Sequence, residues 1–174
     1  MIFNSKIAII IYVILLIPTL RALIGGAPWV PTPRKGIERM LKAANIKKNE
    51  KVYDLGCGDG RLVELAVKKY QADGYGIELS PIIYFMAKIR KILTQSKVKI
   101  IFANFMNQNY KNADVVLLYL MPETNQKVAK KLQSELKKGS RVVTYAFQIK
   151  AWKPHKIIPR NKKLRLAPIF VYKM

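Results

Sequence analysis

The segment YDLGCGDGRL at residues 53–62 combines glycines and acids at a spacing that could bind a small ligand. Glycine lets the backbone adopt a positive φ and approach a ligand with no side chain in the way. Three glycines stand at alternate positions after a short apolar run: Gly56, Gly58 and Gly60. Asp54 precedes them and Asp59 lies among them, so the segment carries negative charge. We interpret it as a ligand-binding turn.

The acid inside the turn restricts the charge of the ligand. Dinucleotide-binding turns use the spacing G-x-G-x-x-G and hold a pyrophosphate. The spacing here is one residue shorter, and Asp59 would repel a phosphate but attract a cation such as the amino group and sulfonium of S-adenosylmethionine. Cys57 is the only cysteine, so neither an intrachain disulfide nor a structural zinc site is expected. We interpret Cys57 as a small residue of the turn.

Helical and strand patterns alternate along the body of the chain. The predicted helices are residues 33–44, 60–70, 81–95 and 123–138, and the predicted strands are residues 51–56, 73–79, 98–104, 113–120 and 140–147. This alternation implies right-handed crossovers and a mostly parallel sheet with helices on both faces. Two further strand-like runs, 155–160 and 164–173, are joined by the short NKK and must pair antiparallel. The expected fold is therefore α/β and doubly wound, ending in an antiparallel hairpin.

Polar side chains also end the second and third predicted strands. Glu78 is placed to accept hydrogen bonds from both hydroxyls of a ribose, as carboxylates do in nucleoside-binding α/β folds. Asn104 can bond to an adenine edge. Together with Asp54, these side chains put ligand-binding groups on three consecutive strands, whose carboxyl ends meet at one edge of a parallel sheet.

The amino-terminal segment is strongly apolar. Residues 7–20, IAIIIYVILLIPTL, are apolar or nearly so, and residues 7–24 are long enough for a short membrane span if Arg21 lies near the interface. Lys6 precedes the segment and several cations follow it, so the positive-inside rule places the rest of the chain in the cytoplasm. The expected organisation is a membrane anchor at 1–26 and a catalytic domain at 27–174, in a single-pass membrane protein. A helix buried against protein and a cleaved signal peptide are the alternatives.

The charge of the chain is strongly unbalanced. There are 32 Lys and Arg residues against 10 Asp and Glu, a formal net charge of +22. Residues 136–174 contain eleven basic residues and no acid. Such a field attracts anions, so an anionic membrane surface, an acidic protein and nucleic acid are candidate partners. A solvated basic face is the alternative, and charge alone names no reaction.

These motifs resemble the class I S-adenosylmethionine-dependent methyltransferases, whose seven-stranded Rossmann-like fold ends in an antiparallel hairpin. The resemblance covers about residues 28–174 and is most specific at VYDLGCGDGR. WVPTP at 29–33 and FQIKAWKP at 147–154 resemble a narrower group. That group comprises archaeal protein lysine methyltransferases and the mitochondrial lysine methyltransferases that modify the ATP synthase c-subunit and the adenine nucleotide translocase. The mitochondrial members carry an amino-terminal membrane segment.

The resemblance implies a role for each residue of the motif. The three glycines would line the methionine moiety, Glu78 would bind ribose, and Asn104 with Phe105 would lie beside adenine. The predicted cofactor site consists of Asp54, Gly56, Cys57, Gly58, Asp59, Gly60, Glu78, Leu79, Asn104 and Phe105.

Methyl transfer from a sulfonium mainly requires alignment of the acceptor, so no His or Cys base and no metal are required. Tyr119, Thr32 and Trp152 are candidates for a channel that receives the substrate lysine, with Pro31 and Pro122 beside them. A tyrosine oxygen can accept a hydrogen bond from an ammonium group, and an aromatic face attracts a cation. Tyr119 and Thr32 are the candidate catalytic residues.

The end of the fourth strand bears on the substrate. Enzymes that methylate amino groups of adenine or glutamine share an (Asn/Asp/Ser)-Pro-Pro-aromatic motif, whereas this chain has YLMPE at 119–123. The first proline and the aromatic residue are absent, which makes nucleic acid the weaker expectation. The expected function is methylation of lysines in membrane or membrane-adjacent proteins. The alternatives are an RNA or small-molecule methyltransferase and a non-catalytic S-adenosylmethionine-binding module.

Overall fold

The computed structural model describes residues 30–174, together with residues 5, 7–9, 12, 13 and 16. Within this part of the chain, no helix combines the length and apolar character needed to cross a membrane. This finding contradicts the predicted single-pass membrane location with a cytoplasmic catalytic domain. Most of the predicted anchor at 1–26 lies outside the described residues.

Strands and helices alternate largely as predicted. The helices are α1 (Arg34–Ala44), α2 (Arg61–Tyr70), α3 (Pro81–Leu93) and α4 (Pro122–Glu135). The strands are β1 (Lys51–Leu55), β2 (Asp73–Glu78), β3 (Lys99–Phe102), β4 (Val115–Leu118), β5 (Arg141–Tyr145), β6 (Lys156–Ile158) and β7 (Ile169–Lys173). A short 3-10 helix, Phe105–Asn107, lies between β3 and β4.

The strands form one seven-stranded sheet in the order β3-β2-β1-β4-β5-β7-β6. Strands β1 to β5 pair in parallel, whereas β7 pairs antiparallel with both β5 and β6. The predicted doubly wound, mostly parallel sheet with a terminal antiparallel hairpin is therefore confirmed. The direction of winding reverses between β1 and β4, and such a switch point opens a crevice at the carboxyl ends of the strands.

Side chains of the central strand β4 alternate between the two faces of the sheet. Val115 and Leu117 belong to the apolar cluster that contains residues of α1 and α2, whereas Val116 and Leu118 pack with residues of α4. All four side chains are fully buried. Burial of apolar surface on both faces holds the helices to the sheet, and it confirms the prediction of helices on both sides.

Helix α1 crosses β5 from one end to the other. Near the start of α1, a Cβ added to Gly36 would lie 2.9 Å from Tyr145 Oη, at the end of β5. At the end of α1, the Ala44 carbonyl accepts a hydrogen bond from Arg141 Nε at 2.9 Å. The Arg141 guanidinium also pairs with Glu50, which precedes β1. The start of α1 therefore lies at the carboxyl edge of the sheet.

Two element boundaries differ from the prediction by three or more residues. Helix α4 ends at Glu135 and is not closed by Gly139, because Leu136 adopts an extended conformation and packs against the core. Strand β7 starts later than predicted, at Ile169. The preceding Pro168 has no N–H to donate to a strand ladder.

The contact between β2 and α2 leaves no room for a side chain at Gly74. A Cβ there would lie 2.5 Å from Val67 Cγ2 and 2.9 Å from Val63 Cγ2. We expect Gly74→Ala to lower the free energy of unfolding by about 1–3 kcal/mol through overpacking, as measured by urea denaturation. Gly139→Ala is the control for backbone strain, because φ is 90° and no atom lies within 4 Å of its added Cβ. An unchanged free energy of unfolding in Gly74→Ala would contradict the close packing.

Candidate active site

Most of the predicted site residues lie at the carboxyl edge of the sheet, around the crevice between β1 and β4. Asp54 is the penultimate residue of β1, and Glu78 is the last residue of β2. Asn104 follows β3, and Tyr119 directly follows β4. Because these strands are parallel, the tertiary structure brings groups from four strands to one edge.

The glycine turn, residues 56–60, has a backbone that glycine adopts without strain. The φ values are 71° at Gly56, 59° at Gly58 and 78° at Gly60. The N–H groups of Gly56 and Cys57 donate to the Ile77 carbonyl at 2.9 and 3.0 Å, which ties the turn to β2. A Cβ added to Gly56 would lie 3.0 Å from Leu120 Cδ2. The turn thus presents bare main chain at the start of α2.

The Glu78 carboxylate is held by backbone N–H groups. Its Oε2 accepts from Gly58 N–H at 3.0 Å, and its Oε1 accepts from Leu79 and Ser80 N–H groups at 2.9 and 2.8 Å. Burial raises the pKa of Glu78, while these N–H groups act in the opposite direction. A carboxylate has about four lone-pair sites, so capacity remains to accept from a ligand hydroxyl.

Asp54 is the most unusual ionisable group at this edge. Its side chain is 3% exposed. Burial, followed by the charges of Glu78 and Asp59, raises the pKa of Asp54 to about 8, although the Val63 N–H acts to lower it. At neutral pH the carboxyl group therefore holds a proton, and a neighbouring positive charge would favour its ionised form.

Two buried polar atoms beside the turn have no hydrogen-bond partner among the described residues. They are Asp54 Oδ2 and Ser80 Oγ. Such atoms cost free energy unless a ligand or water pairs with them. S-adenosylmethionine fits this environment, because its cationic groups suit Asp54 and its ribose hydroxyls suit Glu78. The residues present are therefore compatible with this cofactor.

Asp59 was predicted to attract a cationic ligand, but in the structure its carboxylate pairs with arginines of the protein. Arg61 Nε donates to both of its carboxylate oxygens at 2.9 Å, and Arg61 Nη2 lies 2.6 Å from Oδ2. Arg90 Nη1 lies 3.8 Å from the same oxygen. The charge of Asp59 is thus compensated within the protein. Asp54 is the carboxyl group left to respond to a ligand.

Cys57 packs inside the fold. A Cβ added to Gly76 of β2 would lie 2.8 Å from Cys57 Sγ, so the two residues fit closely. Burial, aided by the charges of Asp54 and Glu78, raises the pKa of the Cys57 thiol well above its ordinary value. A protonated, buried thiol is a poor nucleophile. This environment agrees with the interpretation of Cys57 as a small residue of the turn.

Asn104 caps the 3-10 helix. Its Oδ1 accepts from Met106 N–H at 2.8 Å. The adjacent Phe105 is partly buried against the core, and its carbonyl accepts from Tyr110 Oη at 2.6 Å. A contact between Asn104 and an adenine edge would therefore use the side-chain amide nitrogen as donor.

Tyr119 lies at the end of the sheet where α1 begins. Its ring packs edge-on against Tyr145, with centroids 5.0 Å apart and planes at 86°. Burial and Tyr145 raise the pKa of Tyr119, so the phenol keeps its proton at neutral pH. Thr32 is buried just before α1 and Pro31 is exposed, while Pro122 is half-buried at the first position of α4. These residues remain candidates for the substrate side of the crevice.

The predicted place of Trp152 in the lysine channel is corrected by the structure. The indole N–H donates to Gln133 Oε1 at 3.3 Å, near the end of α4 that is remote from the carboxyl edge. The ring packs on Tyr172, which pairs with Val142 near the start of β5. Trp152 therefore covers apolar surface away from the carboxyl edge. The sequence pattern did not indicate at which end of the sheet it would lie.

Sequence analysis missed a strained turn after β5. Ala146 has a φ of 71°, and the Phe147 N–H donates to the Tyr145 carbonyl at 2.9 Å. The Phe147 carbonyl accepts from Thr144 Oγ1 at 2.7 Å and from Asn125 Nδ2 at 3.4 Å. Such strain persists only where surrounding contacts impose it. Alanine carries no sequence signal for a positive φ.

Comparison with known proteins identifies the family of this chain. Residues 54–156 match the family described as the ANTKMT methyltransferase domain. A protein-lysine N-methyltransferase of Saccharolobus islandicus is 37% identical over 134 residues, which cover 75% of this chain and 83% of that protein. The human lysine N-methyltransferase of the ATP synthase c-subunit is 29% identical over 73% of this chain. The chain spans about half of that human protein, 54% of its length.

A solved structure shares both the fold and part of the sequence. The RNA methyltransferase from Salinibacter ruber, in complex with S-adenosyl-L-homocysteine, has a TM-score of 0.77 and 30% identity, covering 83% of this chain and 93% of that one. A Geobacter sulfurreducens S-adenosylmethionine-dependent methyltransferase, 18% identical with a TM-score of 0.58 over 66% of this chain and 48% of that one, shares the fold. The present chain therefore belongs to the ANTKMT methyltransferase domain family and is an S-adenosylmethionine-dependent methyltransferase.

Proposed function

We propose that this enzyme transfers methyl groups from S-adenosylmethionine to lysine side chains of proteins, through a catalytic domain formed by residues 27–174. The observation that carries the proposal is the 37% identity with a protein-lysine N-methyltransferase over most of both chains. Relatives named for lysines of the ATP synthase c-subunit and of adenine nucleotide translocase support membrane or membrane-adjacent proteins as targets.

RNA methylation is the second candidate. The net charge of +22 and the similarity to the Salinibacter RNA methyltransferase favour it. Against it, YLMPE at 119–123 lacks the first proline and the aromatic residue of the motif found in enzymes that methylate nucleobase amino groups. Protein lysine is the better supported acceptor.

The cofactor side of the proposed site uses the turn and the next strand. When bound, S-adenosylmethionine supplies a methyl group on a positively charged sulfur. The glycine turn allows close approach of its methionine part, Glu78 accepts from ribose hydroxyls, and Asn104 with Phe105 lies toward adenine. Asp54 becomes ionised beside the positive charge, which satisfies its buried oxygen.

The acceptor side uses groups around the ends of β4 and β5. A lysine amine must lose its proton before it can accept a methyl group, and its ordinary pKa of about 10.4 falls when the ammonium is desolvated near another positive charge. Tyr119 keeps its phenolic proton and can still accept a hydrogen bond from the amine. We assign Tyr119 and Thr32 to orient the amine, with Pro31 and Pro122 as walls of the channel.

The proposed function is tested by incubating the full chain with S-adenosylmethionine labelled in the methyl group, in parallel with a protein extract and with total RNA. We expect label in protein, and methylated lysine after acid hydrolysis. Label confined to RNA would overturn the proposal in favour of the second candidate. Cofactor binding without label in either fraction would support a non-catalytic binding module.

The role of Glu78 is tested by Glu78→Gln. The substitution preserves the size of the side chain but removes the negative charge of a carboxylate that accepts hydrogen bonds from three backbone N–H groups. We therefore expect S-adenosylmethionine to bind about 10-fold to 100-fold more weakly by isothermal titration calorimetry. Glu38→Gln, at an exposed position of α1, is the matched control and should leave cofactor affinity unchanged. Thermal unfolding without ligand checks that Glu78→Gln remains folded. Unchanged affinity in a folded Glu78→Gln protein would refute ribose recognition by this carboxylate.

The raised pKa of Asp54 predicts coupled proton release. In the free protein this group is protonated below about pH 8, and a bound cation lowers its pKa, so cofactor binding should release a proton and strengthen as the pH rises toward 8. Calorimetry near neutral pH in phosphate and in Tris measures the released proton, because the buffers differ in ionisation enthalpy. Asp54→Asn should abolish the release. Equal proton release by Asp54→Asn and the wild type would assign the proton to another group.

A further inference from the structure

A groove of about 420 Å³ lies between α1, the end of α2 and the loop that joins β6 to β7. Its cationic lining residues are Lys35, Arg39, Lys42 and Lys69. Tyr70, Leu164 and Leu166 supply apolar walls, and Glu38 contributes a carboxylate. The groove is therefore strongly basic but partly apolar, unlike a surface covered only by solvated lysines.

The lysines of the groove have no carboxylate partner among the described residues. Some lysines elsewhere in the described domain do pair closely with an acid, as Lys99 does with Asp73 at 2.8 Å. Within residues 30–174, no carboxylate lies within 4.0 Å of the ammonium groups of Lys35, Lys42 and Lys69. Neighbouring like charges create a positive potential that an anionic partner would relieve.

Arg39 builds one wall of the groove and connects it to the candidate active site. Its guanidinium donates to the carbonyls of Pro159 and Ala167 at 2.8 and 3.3 Å, which holds the β6–β7 loop against α1. The Ala167 N–H in turn donates to Tyr145 Oη at 3.2 Å. The Tyr145 ring packs edge-on against Tyr119. A chain of side-chain contacts thus runs from the groove wall to Tyr119, which lies beside the proposed lysine channel.

The direction of α1 leads the groove toward that channel. Lys35 and Lys42 are two turns apart on one side of the helix, a distance of about 10 Å at 1.5 Å per residue. Lys35 lies in the turn that follows Thr32, at the carboxyl edge of the sheet, and Lys42 lies toward the opposite edge. An extended peptide covers this distance with about three residues.

We propose that this groove binds an acidic, extended segment of the protein substrate and thereby delivers the nearby target lysine to the channel beside Tyr119. The inference rests on the proposed lysine methyltransferase function. A peptide suits the groove better than an RNA strand, because aliphatic side chains of a peptide match the apolar walls formed by Leu164 and Leu166. Complementary charge of this kind raises association rate and selectivity.

The test compares charge reversal in the groove with the same reversal elsewhere. The groove variant is Lys42→Glu with Lys69→Glu, and the control is Lys97→Glu with Lys138→Glu, at exposed positions outside the groove. The probe is a fluorescein-labelled peptide with one lysine and three consecutive glutamates a few residues away, bound to the full chain loaded with S-adenosylhomocysteine. We expect about tenfold weaker binding to the groove variant by fluorescence anisotropy, and a much smaller change in the control. A peptide with glutamines in place of the glutamates should bind both variants alike.

Steady-state methylation of the same peptide supplies an independent measurement. The groove variant should raise KM and leave kcat and the affinity for S-adenosylmethionine unchanged, because the groove lies outside the cofactor site. Lys42→Gln with Lys69→Gln should give an intermediate KM, which guards against a folding defect caused by the added acids.

The outcomes separate the two proposals. If the peptide is methylated but groove and control variants bind it equally, the groove inference fails and the lysine methyltransferase function stands. If an RNA oligonucleotide binds the wild type more tightly than the peptide and loses affinity in the groove variant, the groove is an RNA surface. If no lysine in protein or peptide accepts label, the proposed function itself fails.

Discussion

The Glu78 carboxylate, which accepts hydrogen bonds from three backbone N–H groups, is the contact on which the candidate site depends. It joins the glycine turn after β1 to the end of β2 and fixes both at the switch point of the sheet. Burial of a charged group is costly unless such bonds compensate it. The turn can supply a donor from Gly58 only because its backbone has positive φ. The positive φ values of the turn and the position of Glu78 therefore depend on each other.

Charge compensation divides the three acids of the site into different roles. Asp59 forms ion pairs with Arg61 and Arg90, and Glu78 accepts hydrogen bonds from main-chain donors, whereas Asp54 has an oxygen without a protein partner among the described residues. Such an arrangement favours a ligand that brings positive charge to the Asp54 side of the turn. The reverse would hold beside α1, where lysines without a carboxylate partner among the described residues would favour the negatively charged substrate segment that we propose. Under these proposals, the local charge would be negative where the cofactor binds and positive where the substrate binds.

Local patterns were sufficient to predict most of the elements and the residues at the strand ends. The spacing of apolar residues and the turn residues between them predicted β1, β2 and the hairpin. Because the strands are parallel, Asp54, Glu78 and Asn104 lie at one edge of the sheet. The partners of Asp59 and the depth of Trp152 were not predicted. Both depend on contacts that the local pattern of a single sequence does not reveal. The predicted single-pass membrane location is contradicted, because no helix among the described residues is long and apolar enough to cross a membrane.

The sequence by itself determined the type of sheet, the turn that only glycines can form and the identity of the groups at the strand ends, because these follow from local conformation and from the alternation of elements. Tertiary structure decided which acids have a cationic partner, which aromatic residues reach the edge and, within the described residues, where lysines cluster away from carboxylates. The reason is that ion pairing, burial and pKa depend on distances between side chains, which are defined only after the helices pack on the sheet.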